Sequence, residues 1–233
     1  MQHDLARRLS AEAVGTALLA ATVVGSGIAA QRLSPGNTGL QLLENSTATG
    51  AVLVALILAL GPVSGAHFNP VVTLADRVLG GMSTACAMSY AAVQVASACV
   101  GVALANLMYS LPAFAVSTHT RSGHNLWLSE AIATFGLVLV ILGVARNGRS
   151  SVAAFAVGGY IAAAYWFTSS TSFANPALTI GRSLTNTFAG IRPADIPAFV
   201  VMQIVGALVA VALAHYWHPS LRAADIVVTQ DAA

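Results

Sequence analysis

The sequence predicts an all-α membrane protein with six transmembrane helices and two re-entrant half-helices, arranged as an inverted repeat. Three observations predict it. Of 233 residues, 57% are hydrophobic and 8% charged, against about 25% charged in a soluble domain. The apolar residues fall in six long runs, close to the roughly 20 residues a helix needs to cross a bilayer. Two motifs each occur twice, in the same order in the two halves.

The six runs are 9–30, 44–63, 85–109, 126–145, 152–168 and 194–217. Backbone polar groups in lipid must be satisfied within a segment, so each run reads as a helix. Arg7 and Arg8 precede the first run as they would in a secretory leader. That run is longer than a leader's apolar core of about 7–15 residues, and it is echoed later in the chain. It is therefore expected to be a span. The tail 219–233 is polar and expected to fray.

Six spans put both termini on one side. Arg7, Arg8, Arg77, Arg146, Arg149 and Arg222 then share that side, against Arg32, Arg121, Arg182 and Arg192. The positive-inside rule predicts cytoplasmic termini. Trp127, Tyr109, Tyr165, Trp166, Tyr216 and Trp217 fall near span ends, where an interfacial aromatic belt is expected. The chain has no lysine and a net charge of +2, which offers nothing to a nucleic acid. Cys86 and Cys99 lie thirteen residues apart on one predicted helix, about 20 Å and too far for a disulfide. No Cys or His spacing suggests a metal site, and no cofactor is expected.

The first repeated motif is Glu-x-x-x-Thr. Glu12-Ala13-Val14-Gly15-Thr16 opens the first span, and Glu130-Ala131-Ile132-Ala133-Thr134 opens the fourth. The second is Asn-Pro, in Asn69-Pro70-Val71 and Asn175-Pro176-Ala177. Each Asn-Pro precedes a stretch too short to span, 69–79 and 175–187. The order is span, span, short helix, span, and then the same again. Three spans per half is an odd number, so the second half is inverted. The halves divide as 1–118 and 119–233.

Proline is favoured at the first helical position and asparagine just before it as a cap. Asn69 and Asn175 are therefore predicted to cap two half-helices. Loops precede them, Gly61-Pro62-Val63-Ser64-Gly65-Ala66 and Thr168-Ser169-Ser170-Thr171-Ser172. Irregular backbone at membrane depth is tolerated where it is buried or lines a water-filled cavity. Two helix N-termini meeting at the midplane would repel cations. Asparagine amides would donate to a passing molecule, and loop carbonyls would accept. That describes a path for small, neutral, hydrogen-bonding molecules.

Ser64-Gly65-Ala66-His67-Phe68-Asn69-Pro70 and Phe173-Ala174-Asn175-Pro176-Ala177-Leu178 resemble the twin Asn-Pro-Ala boxes of the major intrinsic proteins, the aquaporin and glycerol-facilitator family. The Glu-x-x-x-Thr pairs match as well, and the resemblance covers nearly the whole chain. It implies one channel domain over 1–233, a bundle of six spans and two half-helices, one pore per subunit, and a homotetramer in a membrane. It also implies that Glu12, Glu130 and His67 support the pore loops. Proton coupling is the other reading of the two glutamates, because an ionisable residue inside a span is functional by default. The presence of both copies favours the supporting role.

Two departures from the family narrow the substrate. The first box ends in Val71 rather than alanine, which is expected to add bulk near the midplane. After the second box stands Leu178, where most members have a filter arginine. Counting from the boxes, the resemblance assigns the rest of the filter to Thr49, Ala163 and Ser172. Arg182, seven residues after Asn175, is expected to anchor a surface loop rather than replace that arginine. The expected pore is wider and less polar than a strict water channel. The combination resembles bacterial aquaglyceroporin-type channels associated with arsenic resistance, in an inner membrane. It implies metalloid acids such as arsenite, methylated arsenicals, or glycerol-like solutes, with some water. A water-preferring channel and a glycerol or urea facilitator remain alternatives. A coupled transporter is the next reading. A membrane enzyme is not expected, since His67 is the sole candidate base and the spans hold no nucleophile–base pair.

Overall fold

A computed structural model describes residues 4–146 and 150–219. Arg149, Arg222 and the tail from 220 lie outside them. Eight α-helices follow in order: α1 (Leu5–Leu33), α2 (Thr38–Ser64), α3 (Pro70–Val78), α4 (Thr84–Met108), α5 (His124–Arg146), α6 (Ser150–Phe167), α7 (Pro176–Gly181) and α8 (Ile196–Trp217). All six predicted spans are present, each within a few residues of its predicted limits apart from the start of α2. Five have the length and apolar character to cross a bilayer. The sixth, α6, has 18 residues and a rise of about 27 Å, close to the hydrocarbon thickness of about 30 Å.

Side-chain caps fix several helix starts. The Asp4 carboxylate accepts from the Arg7 amide at 2.9 Å, the Asn37 carbonyl from Leu40 at 3.0 Å, and the Ser83 hydroxyl from Cys86 at 3.2 Å. Each satisfies an amide the helix cannot satisfy itself. α2 ends on Gly65, whose φ of 88° an ordinary side chain rarely adopts.

The two halves repeat each other in their packing. α1 lies on α4 and α2, and α5 lies on α8 and α6, while α2 and α6 join the halves. The helix backbones come very close. A Cβ on Gly101 would collide with the Ala17 carbonyl, and one on Gly206 with the Ala131 carbonyl. Small residues let membrane helices approach in this way. Large apolar side chains such as Val14, Leu58, Val100, Phe155 and Val205 stay exposed on the outer surface, as lipid-facing residues do.

Two expectations need correction. The second half-helix stops short of 187. α7 ends at Gly181, a 3-10 turn covers Arg182–Leu184, and Thr185 is extended. The Ser183 and Leu184 carbonyls accept from the Ser117 and Ala115 amides of the α4–α5 loop, which takes the acceptors a longer helix would use. Tyr165 does not belong to an aromatic belt, because it is buried at 3% exposure, whereas Trp166, Tyr216 and Trp217 are exposed.

Candidate functional site

The two Asn-Pro turns meet inside the bundle. Asn69 (φ −157°, ψ 120°) caps α3 and Asn175 (φ −155°, ψ 108°) caps α7, so the two have nearly the same backbone. The Asn69 side-chain carbonyl accepts from the Val71 amide at 3.1 Å. That of Asn175 accepts from Ala177 at 3.0 Å and Leu178 at 3.2 Å. Pro70 and Pro176 open the half-helices, where a missing N–H costs nothing.

The side-chain amides cross between the halves. Asn69 Nδ2 donates to the Ala174 carbonyl at 2.7 Å, and Asn175 Nδ2 donates to the Phe68 carbonyl at 2.8 Å. Each amide therefore keeps one N–H for another acceptor. The expected donation to a passing molecule is left with one N–H on each asparagine.

The loops before the two boxes share an unusual backbone. Gly65, Ala66 and Phe68 have positive φ, and so do Thr171, Ser172 and Ala174. These are the positions four, three and one before each asparagine. A left-handed non-glycine residue costs of order 1–3 kcal/mol and persists only where its surroundings hold it.

Two buried carboxylates hold these loops. Glu12 accepts from the His67 and Phe68 amides at 2.9 and 2.7 Å, from the Ser64 hydroxyl at 2.7 Å and from Gln94 at 2.8 Å. Glu130 accepts from the Phe173 and Ala174 amides at 2.9 and 3.0 Å and from Gln203 at 2.6 Å. Gln94 and Gln203 also donate to Thr73 and Thr179, at 3.1 and 2.9 Å. The two networks match in their loop amides, glutamines and threonines, and Glu12 has the Ser64 hydroxyl in addition. The Thr16 and Thr134 hydroxyls of the sequence motif have no hydrogen-bond partner among the described residues. Gln94 and Gln203 escaped the sequence reading, although each is a lone glutamine in an apolar span.

A cavity of about 90 Å³ runs past the turns. At roughly 15 Å³ per water it has room for about six. Its lining includes apolar side chains from the spans and α7, among them Leu53, Ile57, Leu137, Ile141, Ile161 and Leu178, and the loop residues Gly65–Asn69 with Ala174 and Asn175. His67 lines it, with Nδ1 3.1 Å from the Thr73 hydroxyl. Val71 does not. It is 1% exposed in a cluster with Val138, Leu142 and Ala210 on α5 and α8, so the expected bulk at the midplane is absent.

Of the four filter candidates, three are buried, Thr49 and Ser172 at 3% and Leu178 at 5% exposure, and Leu178 lines the cavity. Ala163 is exposed. Ala153, Val157 and Ile161 line the cavity at four-residue spacing, and Ala163 stands about 200° around the helix from Ile161. Tyr165 is four residues beyond Ile161 and in phase with these three, and its hydroxyl lies 3.2 Å from the Thr49 hydroxyl. The helical spacing could have found it; counting back from the box did not.

Two arginines flank the same end. Arg121 donates to the carbonyls of Gly190, Ser170 and Phe188 at 2.8, 3.4 and 3.2 Å. Burial pulls its guanidinium below the ordinary value, and the Glu130 carboxylate opposes that shift. Arg182 is 3% exposed, so it is buried rather than on the surface, and its Nε does hold a loop through the Ala189 carbonyl. Both guanidiniums lie over the Phe173 ring, at 4.9 and 3.3 Å from its centroid. No cluster of metal-binding side chains occurs among the described residues.

Six apolar helices around two inverted half-helices define an integral membrane protein with a central pathway. The family described as Major intrinsic protein matches residues 1–174, and the chain belongs to that family of channels. The aquaglyceroporin AqpS of Rhizobium meliloti (strain 1021) is 52% identical over 212 residues, covering 91% of this chain and 90% of its own. The probable aquaporin AqpM of Archaeoglobus fulgidus is 32% identical over 246 residues, covering 93% and 98%. The X-ray structure of the aquaglyceroporin from Plasmodium falciparum has the same fold, with a TM-score of 0.72 at 21% identity, covering 94% of this chain and 99% of that one. The protein is a passive channel for small solutes.

Proposed function

We propose that the solutes are small uncharged hydroxylated molecules, metalloid acids such as arsenite and glycerol-like triols, with some water. The observation that carries this reading is the mixed lining of the cavity. Leu53, Ile57, Leu137 and Ile161 line it together with pore-loop residues and two asparagines. A triol has hydroxyls for the polar part of such a lining and an apolar edge for the rest. Undissociated arsenious acid is also a neutral trihydroxy compound. Leu178 in the filter supports the metalloid reading, because it removes the charge and donors of an arginine from that position. The relative AqpS carries the name aquaglyceroporin.

The roles of the site residues belong to the same proposal. Asn69, Asn175 and their boxes form the midplane barrier. Thr49, Ser172 and Leu178 form the outer filter with Tyr165. Glu12, Glu130 and His67 support the loops. The Tyr165–Thr49 contact favours a narrower filter than four small side chains would make. Arsenite and glycerol then fit this reading better than methylated arsenicals. We further propose cytoplasmic termini, a bacterial inner membrane and a homotetramer with one pore per subunit. Glu12 and Glu130 are both committed to loop amides, which speaks against either as the proton-carrying group of a coupled transporter.

The test is flux of water, glycerol, urea and arsenite in liposomes holding the purified protein. Faster arsenite and glycerol equilibration, unaffected by an uncoupler, is expected. Water flux alone would leave a water channel, and no flux of any of the four would refute the reading.

A further inference from the structure

Leu178 leaves the outer filter without a charge at its own position, but a charge stands one turn away. Arg182 is four residues beyond Leu178 and so on the same side of the half-helix, about 6 Å further along. Leu178 lines the cavity. A helical side chain leans back toward the preceding turn, which brings the guanidinium toward the level of Leu178. The Phe173 ring stops it there, 3.3 Å from Cζ. Phe173 directly follows Ser172 and itself lines the cavity. Tyr165, which touches Thr49, lies within electrostatic range of the same guanidinium.

The hydrogen bonding of Arg182 is incomplete. Its Nε donates to the Ala189 carbonyl, while Nη1 and Nη2 have no hydrogen-bond partner among the described residues. The one ion pair among those residues is Arg192–Asp195, so no carboxylate pairs with Arg182. Arg121 differs, because all three of its side-chain nitrogens are bound to carbonyls. A guanidinium stays charged even when buried. Nη1 and Nη2 are not among the buried side-chain atoms that lack a partner, so these two ends of an otherwise buried residue reach accessible space and are free to donate to an acceptor that comes and goes.

We infer that Arg182 supplies the outer filter with the positive charge and free N–H donors that Leu178 lacks, repelling cations and offering donors to hydroxylated solutes. The inference rests on the channel reading and gives one residue a role in its specificity. It also revises the sequence-based expectation that Arg182 only anchors a loop. The filter keeps its charge but holds it one turn back, beside a leucine rather than across the pore.

The experiment uses full-length protein in liposomes and reads water flux, glycerol flux and proton leak. Arg182→Gln keeps a donor for the Ala189 carbonyl and loses the charge. Arg182→Lys keeps the charge. The glutamine variant should raise proton leak, measured relative to its own water flux, by roughly tenfold or more, and the lysine variant should stay tight. A glutamine variant that conducts water and is as proton-tight as wild type would overturn the inference. If that variant does not assemble, Arg182→Cys in a Cys86→Ala, Cys99→Ala background decides. A cationic methanethiosulfonate should block its flux, and conducting protein that the reagent leaves unblocked would overturn the inference. Wild-type liposomes passing neither water nor glycerol would instead refute the channel reading.

Discussion

Asn69 closes its half-helix with its side-chain carbonyl and reaches across the repeat with its amide, donating to the Ala174 carbonyl at 2.7 Å. Asn175 does the same toward Phe68. The midplane is therefore a reciprocal pair of bonds, each half finishing the other's loop. One N–H of each asparagine is fixed by the partner half, which fixes the direction of the second.

An aspartate in place of Asn175 has no N–H to offer the Phe68 carbonyl. We expect Asn175→Asp to cost about 1–3 kcal/mol of stability and to weaken cation exclusion by placing a carboxylate at the barrier. Proton leak in liposomes measures the second effect. A folded mutant as tight as wild type would show that the barrier lies elsewhere.

Leu178→Arg adds a second guanidinium one turn from Arg182. The variant should narrow the solute range, suppressing arsenite and glycerol flux while sparing part of the water flux. Like charges this close also repel, so a lower melting temperature is expected. Unchanged arsenite transport in a folded protein would remove Leu178 from the filter.

Tyr165 and Ala163 separate two placements of the filter. Tyr165→Ala should widen the constriction and speed glycerol, because it removes a ring held beside Thr49. Ala163→Phe should leave flux within about twofold, because Ala163 lies on the exposed face of α6. The opposite pattern in a flux assay would restore Ala163 to the pore.

Glycines test the packing. Gly101→Ala puts a methyl group into the Ala17 carbonyl, whereas a Cβ on Gly159 meets nothing within 4 Å among the described residues. The first should lower thermal stability by about 1–3 kcal/mol, and Gly159→Ala should be neutral or slightly stabilising. Equal melting curves would contradict the close α1–α4 contact.

The spans and the boxes were legible in the sequence because each is a local pattern. A run of about 20 apolar residues or a capped proline needs no knowledge of its neighbours. Glu12 and Glu130 stand out in the sequence because the motif is doubled. What escaped depends on contacts distant in sequence. Gln94 meets Glu12 across 82 residues and Gln203 meets Glu130 across 73. Ala163 was misplaced because a fixed count from Asn175 assumes a fixed helical phase, and α6 turns Tyr165 inward instead. Position in the box does not give direction, and the Val71 side chain packs against α5 and α8.

The division of labour between the two kinds of bond bears on how such a chain is assembled. Each carboxylate network is closed within one half: Glu12 with 64–68 and Gln94, Glu130 with 173–174 and Gln203. The asparagine amides find their partners only in the opposite half. As the ribosome delivers the first half to the bilayer, that half can set its own re-entrant loop in shape at once. Its Asn69 amide must wait for Ala174, so the passage is sealed last, when the second half arrives.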